Sequence, residues 1–251
     1  MIKRLITVGV LALSLVFTAA GAASASSFYK GFAEDLHSKQ NVEEDRKEMY
    51  KQIFIEMEAK ELGIETDGKD PEQIAKEVAE TKIKSSAKEL DIETEGKDVK
   101  ELAKEVHHAE VKRKAEELGI NQKAKDPQQL AENVYEEMLR RKARELNVET
   151  KERDIRGLKK AVLEAIVRKE AEELNIDVKG KDVQKLQKEI HDEKVFRTAE
   201  ELGLETSNKN NRELFDEIIT EHAEEAKDKQ LFPFEKRNGD FFWNHHVKKR
   251  P

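Results

Sequence analysis

Apolar residues along this chain recur with the spacing of helices rather than the alternation of strands. An Ala-x-x-Leu pair recurs as Ala59/Leu62, Ala87/Leu90, Ala115/Leu118, Ala143/Leu146, Ala171/Leu174 and Ala199/Leu202, each copy 28 positions after the last with no insertion. The residue after each leucine is Gly63, Asp91, Gly119, Asn147, Asn175 or Gly203, types that tolerate the left-handed backbone at a helix end. The next is always aliphatic (Ile64, Ile92, Ile120, Val148, Ile176, Leu204), the partner that a Schellman-type cap folds onto its last turn. Eight positions beyond each leucine stands Asp70, Asp98, Asp126, Asp154, Asp182 or Asn210, each able to accept hydrogen bonds from the first turn of a new helix. Pro71 and Pro127 follow at N1, where a missing N–H is harmless, and Gln73, Glu101, Gln129 and Glu213 occupy the third position of a capping box. The pattern predicts six units, each an eight-residue extended loop followed by a helix of about twenty residues.

These helices do not keep one apolar face. Ile74 and Val78 lie within about 40° of each other, while Ile83, Ala87 and Leu90 cluster about 145° away at 100° per residue. The same slip separates Leu102/Val106 from Val111/Ala115/Leu118, and Leu130/Val134 from Leu139/Ala143/Leu146. The first half of each helix is expected to pack on the helix before it and the second half on the helix after it. Eight loop residues reach at most about 26 Å, whereas twenty helical residues run about 30 Å. Neighbouring helices therefore lie side by side but staggered. The expected fold class is all-α: an elongated tandem array of 28-residue helix–extended-loop–helix repeats sharing long helices.

The array is expected over 59–229, behind a degenerate capping module at 26–58. There Ala33, Leu36 and Asn41 echo the repeat with a shorter loop before a helix near 43–62. The last helix, near 212–229, lacks the Gly or Asn stop and runs into Leu231-Phe232-Pro233-Phe234, opening an aromatic and basic tail at 230–251. Terminal units of an array differ because one of their faces has no neighbour.

The run Gly63-Ile64-Glu65-Thr66-Asp67-Gly68-Lys69-Asp70, followed by Ile74 and Val78, resembles the helix–extended-loop–helix motif of the SAP, LEM and Rho N-terminal-domain families. Residues 91–106 and 175–190 match nearly as well. Glu152, Asn208 and Ala124 replace the loop glycine in the other three copies. The resemblance covers about residues 55–220. It implies a module shape, and a binding rather than a chemical role, since members of those families bind nucleic acid or proteins.

Composition adds an address. Lys3 and Arg4 precede the uncharged apolar run from Leu5 to Ala20, and Ala23-Ser24-Ala25 supplies a small-residue cleavage pattern before Ser26. Residues 1–25 are expected to be a secretory signal peptide rather than an anchor, the run being short for a bilayer span. Of 251 residues, 40% are charged and none is cysteine, which excludes disulfides, thiol nucleophiles and cysteine lipidation. Losing Lys3 and Arg4 from the 47 basic residues leaves 45 against 54 acidic, a mature charge of −9. The expected product carries no further membrane span and is secreted, extracellular or in the cell envelope, of bacterial type.

Candidate binding residues fall in two groups. One cation precedes every helix cap: Lys69, Lys97, Lys125, Arg153, Lys181 and Lys209. They could form a ladder facing an anionic polymer such as teichoic acid, polysaccharide or nucleic acid. The alternative is that each neutralises an acidic neighbour or the carbonyl end of the preceding helix, and the glutamate-rich surface favours this. Nucleic-acid binding needs a basic stripe, and only Lys112-Arg113-Lys114 and Arg140-Arg141-Lys142 break the interleaving of Lys with Glu. In the tail, Phe241, Phe242 and Trp243 lie between Lys236/Arg237 and Lys248, Lys249 and Arg250. Such a segment suits either adhesion to an anionic wall or membrane surface or burial against the last module's open core.

His107 and His191 share one repeat position with Tyr135 and Leu163, which marks packing rather than ligation. His245-His246 has no third ligand at zinc spacing, and no nucleophile elbow, phosphate loop or zincin helix is present. No metal, cofactor or catalysis is expected. The expected function is a non-catalytic extended spacer or interaction scaffold at the cell surface or in the extracellular matrix. Its partner would be a protein or an anionic cell-surface polymer. The alternative is an exported nucleic-acid-binding protein using SAP-like modules.

Overall fold

The computed structural model describes residues 40–122, 126–151 and 153–235. The signal peptide assigned to 1–25, the start of the capping module and the tail from 236 lie outside them. The described residues are all-α: α1 (Gln40–Glu61), α2 (Pro71–Glu89), α3 (Val99–Leu118), α4 (Pro127–Glu145), α5 (Ile155–Glu173), α6 (Val183–Glu201), α7 (Asn211–Glu221) and α8 (Ala223–Asp228).

Local chemistry sets these boundaries. The backbone N–H of Gln73 donates to the Asp70 carboxylate at 2.9 Å, and Gly157 and Lys185 donate in the same way to Asp154 and Asp182 at 2.7 and 2.8 Å. The reciprocal box closes at Asp70/Gln73 and at Asn210/Glu213. At the other ends, Asp91, Asn147 and Asn175 take φ of 54°, 56° and 61°, matching the glycines at the equivalent sites. This left-handed step lets the amide of the following aliphatic residue turn back. Ile92 donates to Ala87 O, Val148 to Ala143 O and Ile176 to Ala171 O, each at 2.8 Å. The alanine of every Ala-x-x-Leu pair is therefore both the acceptor of the cap and a fully buried member of the core between two helices.

Six separate small cores follow. Ile55 and Ala59 of α1 meet Ile74 and Val78 of α2. Ile83 and Ala87 meet Leu102 and Val106, and Val111 and Ala115 meet Leu130 and Val134. Leu139 and Ala143 meet Leu158 and Val162; Val167 and Ala171 meet Leu186 and Ile190. Val195 and Ala199 meet Leu214 and Ile218. Each helix from α2 to α6 gives its first half to one core and its second half to the next, so the described residues share no common interior.

The ends depart from expectation in three ways. The array is not open: α1 packs on α7 as well as on α2, so α1 to α7 form a closed circuit of neighbours. No other pair of described helices packs extensively except α7 with α8. The cause is an N-terminal extension of α1 beyond its own core. Tyr50 enters the last core with Leu214 and Phe215, and Ile53 and Phe54 pack beside it. Second, α1 serves the last core as well as the first, a role that the expected capping module at 26–58 did not include. Third, the single helix expected near 212–229 breaks at His222, whose φ of −125° leaves the helical region. The break turns Ala226 and Phe232 onto the last core, where Phe232 is 4% exposed.

Replacing Leu139, which is 1% exposed, by alanine should lower the unfolding free energy by about 2–5 kcal/mol in urea titration. Phe196→Ala, at a side chain 37% exposed, should change it by no more than about 0.5 kcal/mol. Equal effects would contradict the assignment of the cores.

Candidate functional site

The repeated surface is the junction between each loop and the helix after it. Just before the caps at Asp70, Asp182 and Asn210 the chain turns: the amide of Lys69 donates to Thr66 O at 3.1 Å, that of Lys181 to Val178 O at 3.4 Å and that of Lys209 to Thr206 O at 3.5 Å. This return aims the lysine side chain along the new helix. Lys69 pairs with Glu77 at 2.6 Å and Lys97 with Glu105 at 2.5 Å. Lys181 pairs with Glu189 and Lys209 with Glu217 in the same way. In all four the carboxylate stands eight residues on, two turns into the following helix, and the lysines are half-buried. Arg153 is exposed, and Ala161 occupies the place of the glutamate in its module. Lys125 lies outside the described residues, as do Phe241, Phe242, Trp243, Lys248, Lys249 and Arg250.

The arrangement is a row of local ion pairs. Each is exposed enough to contribute no more than about 1 kcal/mol, and its acidic partner halves the pull of the lysine on any external anion. The basic runs behave alike. Arg140 donates to Glu136 at 2.7 Å, Arg141 to Glu137 at 3.0 Å, and Lys114 pairs with Glu117 at 2.6 Å.

Two arginines do a job that the sequence reading gave to the lysines. Arg141 donates to Leu118 O at 2.9 Å and Arg197 to Leu174 O at 3.1 Å. Both occupy the same repeat position, 23 residues after the leucine, and complement the carbonyl end of the preceding helix. Arg168 instead reaches the next loop, donating to Val178 O and Lys181 O, both at 3.3 Å. The 23-residue offset was available in the sequence, but only a known crossing of the two helices gives it meaning.

His191 is 7% exposed, with its ring 5.4 Å from Phe215 and 5.3 Å from Phe232. It is a packing residue, as its repeat position suggests. Beside it, burial pushes the Asp192 carboxyl up, but hydrogen bonds from His191, Lys188 and Asn211, with the charge of Lys188, outweigh this and hold it at about 2. On α3, burial pushes the Glu110 carboxyl up to about 7, against the charge of Arg113 and aided by that of Glu89. His107 is shifted down by burial and by the neighbouring His108.

A shallow depression of about 470 Å³ lies between Ile176, Glu189, Asp192, Glu193 and Phe196. Three of its four carboxylates are held in ion pairs, Glu189 by Lys181, Asp192 by Lys188 and Glu193 by Arg197, and the fourth, Asp177, accepts from the Lys179 amide at 3.0 Å. Among the described residues no group of three or more His, Cys, Asp or Glu could hold a metal ion, and no helix is long and apolar enough to cross a membrane. Comparison with protein-family models, curated proteins and solved structures gives no match to this chain.

Glu110 sets a testable pH dependence. A carboxyl whose folded value is about 7 holds its proton more tightly folded than unfolded, so its contribution is fully favourable below the ordinary carboxylate value and lost as pH rises through 7. Glu110→Gln should therefore raise stability more at pH 8 than at pH 5, by on the order of 1 kcal/mol after solvent screening of a partly exposed group. Urea midpoints of both proteins at the two pH values check this; an equal or reversed difference contradicts it.

Proposed function

We propose that this chain is a non-catalytic exported repeat protein that acts as an interaction scaffold at the cell surface or in the extracellular matrix. Its helix–extended-loop–helix modules, of SAP-like shape, would present similar loop–helix junctions at 28-residue intervals. The observation that carries this reading is how the apolar residues are used. They are consumed in six small cores between neighbouring helices, leaving a largely polar outer surface on which the depression beside Ile176 and Phe196 is shallow. Similar weak contacts repeated along one chain sum to useful avidity. The spacer half of the expectation is not carried forward, because a chain whose first and last helices meet does not span distance by itself.

The alternative, an exported nucleic-acid binder, fares less well on charge. Four of the cap cations (Lys69, Lys97, Lys181 and Lys209), with Lys114, Arg140, Arg141 and Lys142 of the basic runs, are paired with carboxylates, and the mature chain would carry −9 overall. A stripe of free cations, which phosphate binding requires, is not assembled among the described residues.

The mature protein, with and without residues 236–251, should be retained by intact cell walls or by immobilised secreted proteins. It should give no gel shift with double-stranded DNA at about 0.15 M salt. DNA binding that survives this salt, with no retention on walls or proteins, would replace the scaffold reading with the alternative.

A further inference from the structure

Of the seven junctions in the helix circuit, six are spanned by a loop and one is not. The unspanned junction is the seam between α1 and the last module. Its centre is apolar: the Tyr50 ring stands edge-on to Phe215 at 5.4 Å, and Phe54 lies 5.3 Å from Phe234. Its flanks are ionic, with Arg46 3.3 Å from Asp216, Lys60 2.7 Å from Glu224 and Lys227 2.7 Å from Glu61. The hydrogen bond and charge of Lys60 hold the Glu224 carboxyl below its usual range. The side chains of Lys60 and Glu224 are 75% and 55% exposed, so salt screens this pair.

The two sides of the seam are different surfaces of one chain, which makes the contact heterologous. A heterologous contact satisfied within a molecule can be satisfied by the same groups of a second copy once protein concentration competes with the effective concentration inside one molecule, and it then leaves one free surface of each kind at the ends of the assembly. α1 cannot leave α2 without losing Ile55 and Ala59 from the first core, so the seam opens by α1 and α2 moving together away from the last module, and the core residues lost at the seam are Tyr50, Ile53 and Phe54. No tether limits that opening; only the combined geometry of the other six junctions holds the two surfaces together.

We propose that this seam is an exchangeable clasp whose partner is a second copy of the chain. The seam face of α1 from one molecule, from Arg46 to Glu61, docks on α6, α7 and α8 of the next, giving head-to-tail oligomers of otherwise unchanged modules. The scaffold reading is not needed for this, and neither depends on the other.

The absence of cysteine permits a direct test. Full mature chains carrying Lys60→Cys alone and Glu224→Cys alone are mixed and held in about 1 M salt, where the screening length is about 3 Å. They are then returned to low salt and treated with a short bis-maleimide. A mixture of Lys60→Cys with Lys160→Cys, an exposed site on α5, gives the collisional background. The Lys60–Glu224 adduct should exceed that background by about fivefold or more, as expected of a formed contact rather than chance encounter, with multimers seen by light scattering. An adduct at background level overturns the proposal, either with or without internal cross-linking in the Lys60→Cys/Glu224→Cys double variant. Internal cross-linking would show a seam that forms but does not exchange; its absence would show that the seam does not form.

Discussion

Everything in this fold depends on helices that are buried on opposite faces at their two ends. A helix with a single apolar stripe can satisfy itself against one partner, and the chain would then stop at pairs or collapse into one bundle. Here Ile74 and Val78 commit α2 to the helix before it, while Ile83 and Ala87 commit it to the helix after it. Removing either neighbour exposes half a helix. Each core is too small to fold alone, and rigid shared helices pass stability from one core to the next. The alanine at each crossing makes the arrangement specific. Its small side chain admits the neighbouring helix, and its carbonyl receives the amide that ends its own helix.

The same constraint creates a difficulty at the ends, where a half-helix has no neighbour. The protein meets it by using one end to cover the other. α1 carries a second apolar set, Tyr50, Ile53 and Phe54, upstream of the set that builds the first core, and this second set seals the last core. The chain beyond α7 contributes the remaining cover. The break at His222 redirects α8 so that Ala226 and Phe232 fall on that core, and Lys194 reaches Glu235 beyond it. Charge plays a supporting part throughout, with lysine–glutamate pairs bracing loop to helix and arginines capping carbonyl ends across the crossings.

Much of this was legible in the residues because it is local. A left-handed Asn or Asp after leucine, an Asp before a helix and a phase change in midhelix all act within a few residues, so periodicity alone located the helices and assigned most of the cores. Closure was not legible. The pairing of Tyr50 with Phe215 joins residues far apart in sequence: Tyr50 stands one period before Val78, at the position that packs on a preceding helix, but its partner is the last module, and Phe215 lies off that repeat position. The break at His222 was missed because no Gly, Pro or Asn marks it; packing of Phe232 overrides the helical preference of the surrounding residues. At the candidate surface the six cap-preceding cations were found by position. Whether each faces outward or inward depends on a carboxylate eight residues away, present at Glu77, Glu105, Glu189 and Glu217 and replaced by Ala161 beside Arg153.

The claim that the circuit closes is most directly tested by a distance. Spin labels on Lys51→Cys of α1 and Glu221→Cys of α7, both exposed sites, report the separation of the two ends in the intact chain by dipolar spectroscopy. Helix axes spaced about 8–10 Å apart would put α1 and α7 about 50 Å apart in an open row, against adjacent axes in a closed one. The account predicts one narrow distribution well under about 30 Å; a broad distribution centred near the open-row distance would contradict it.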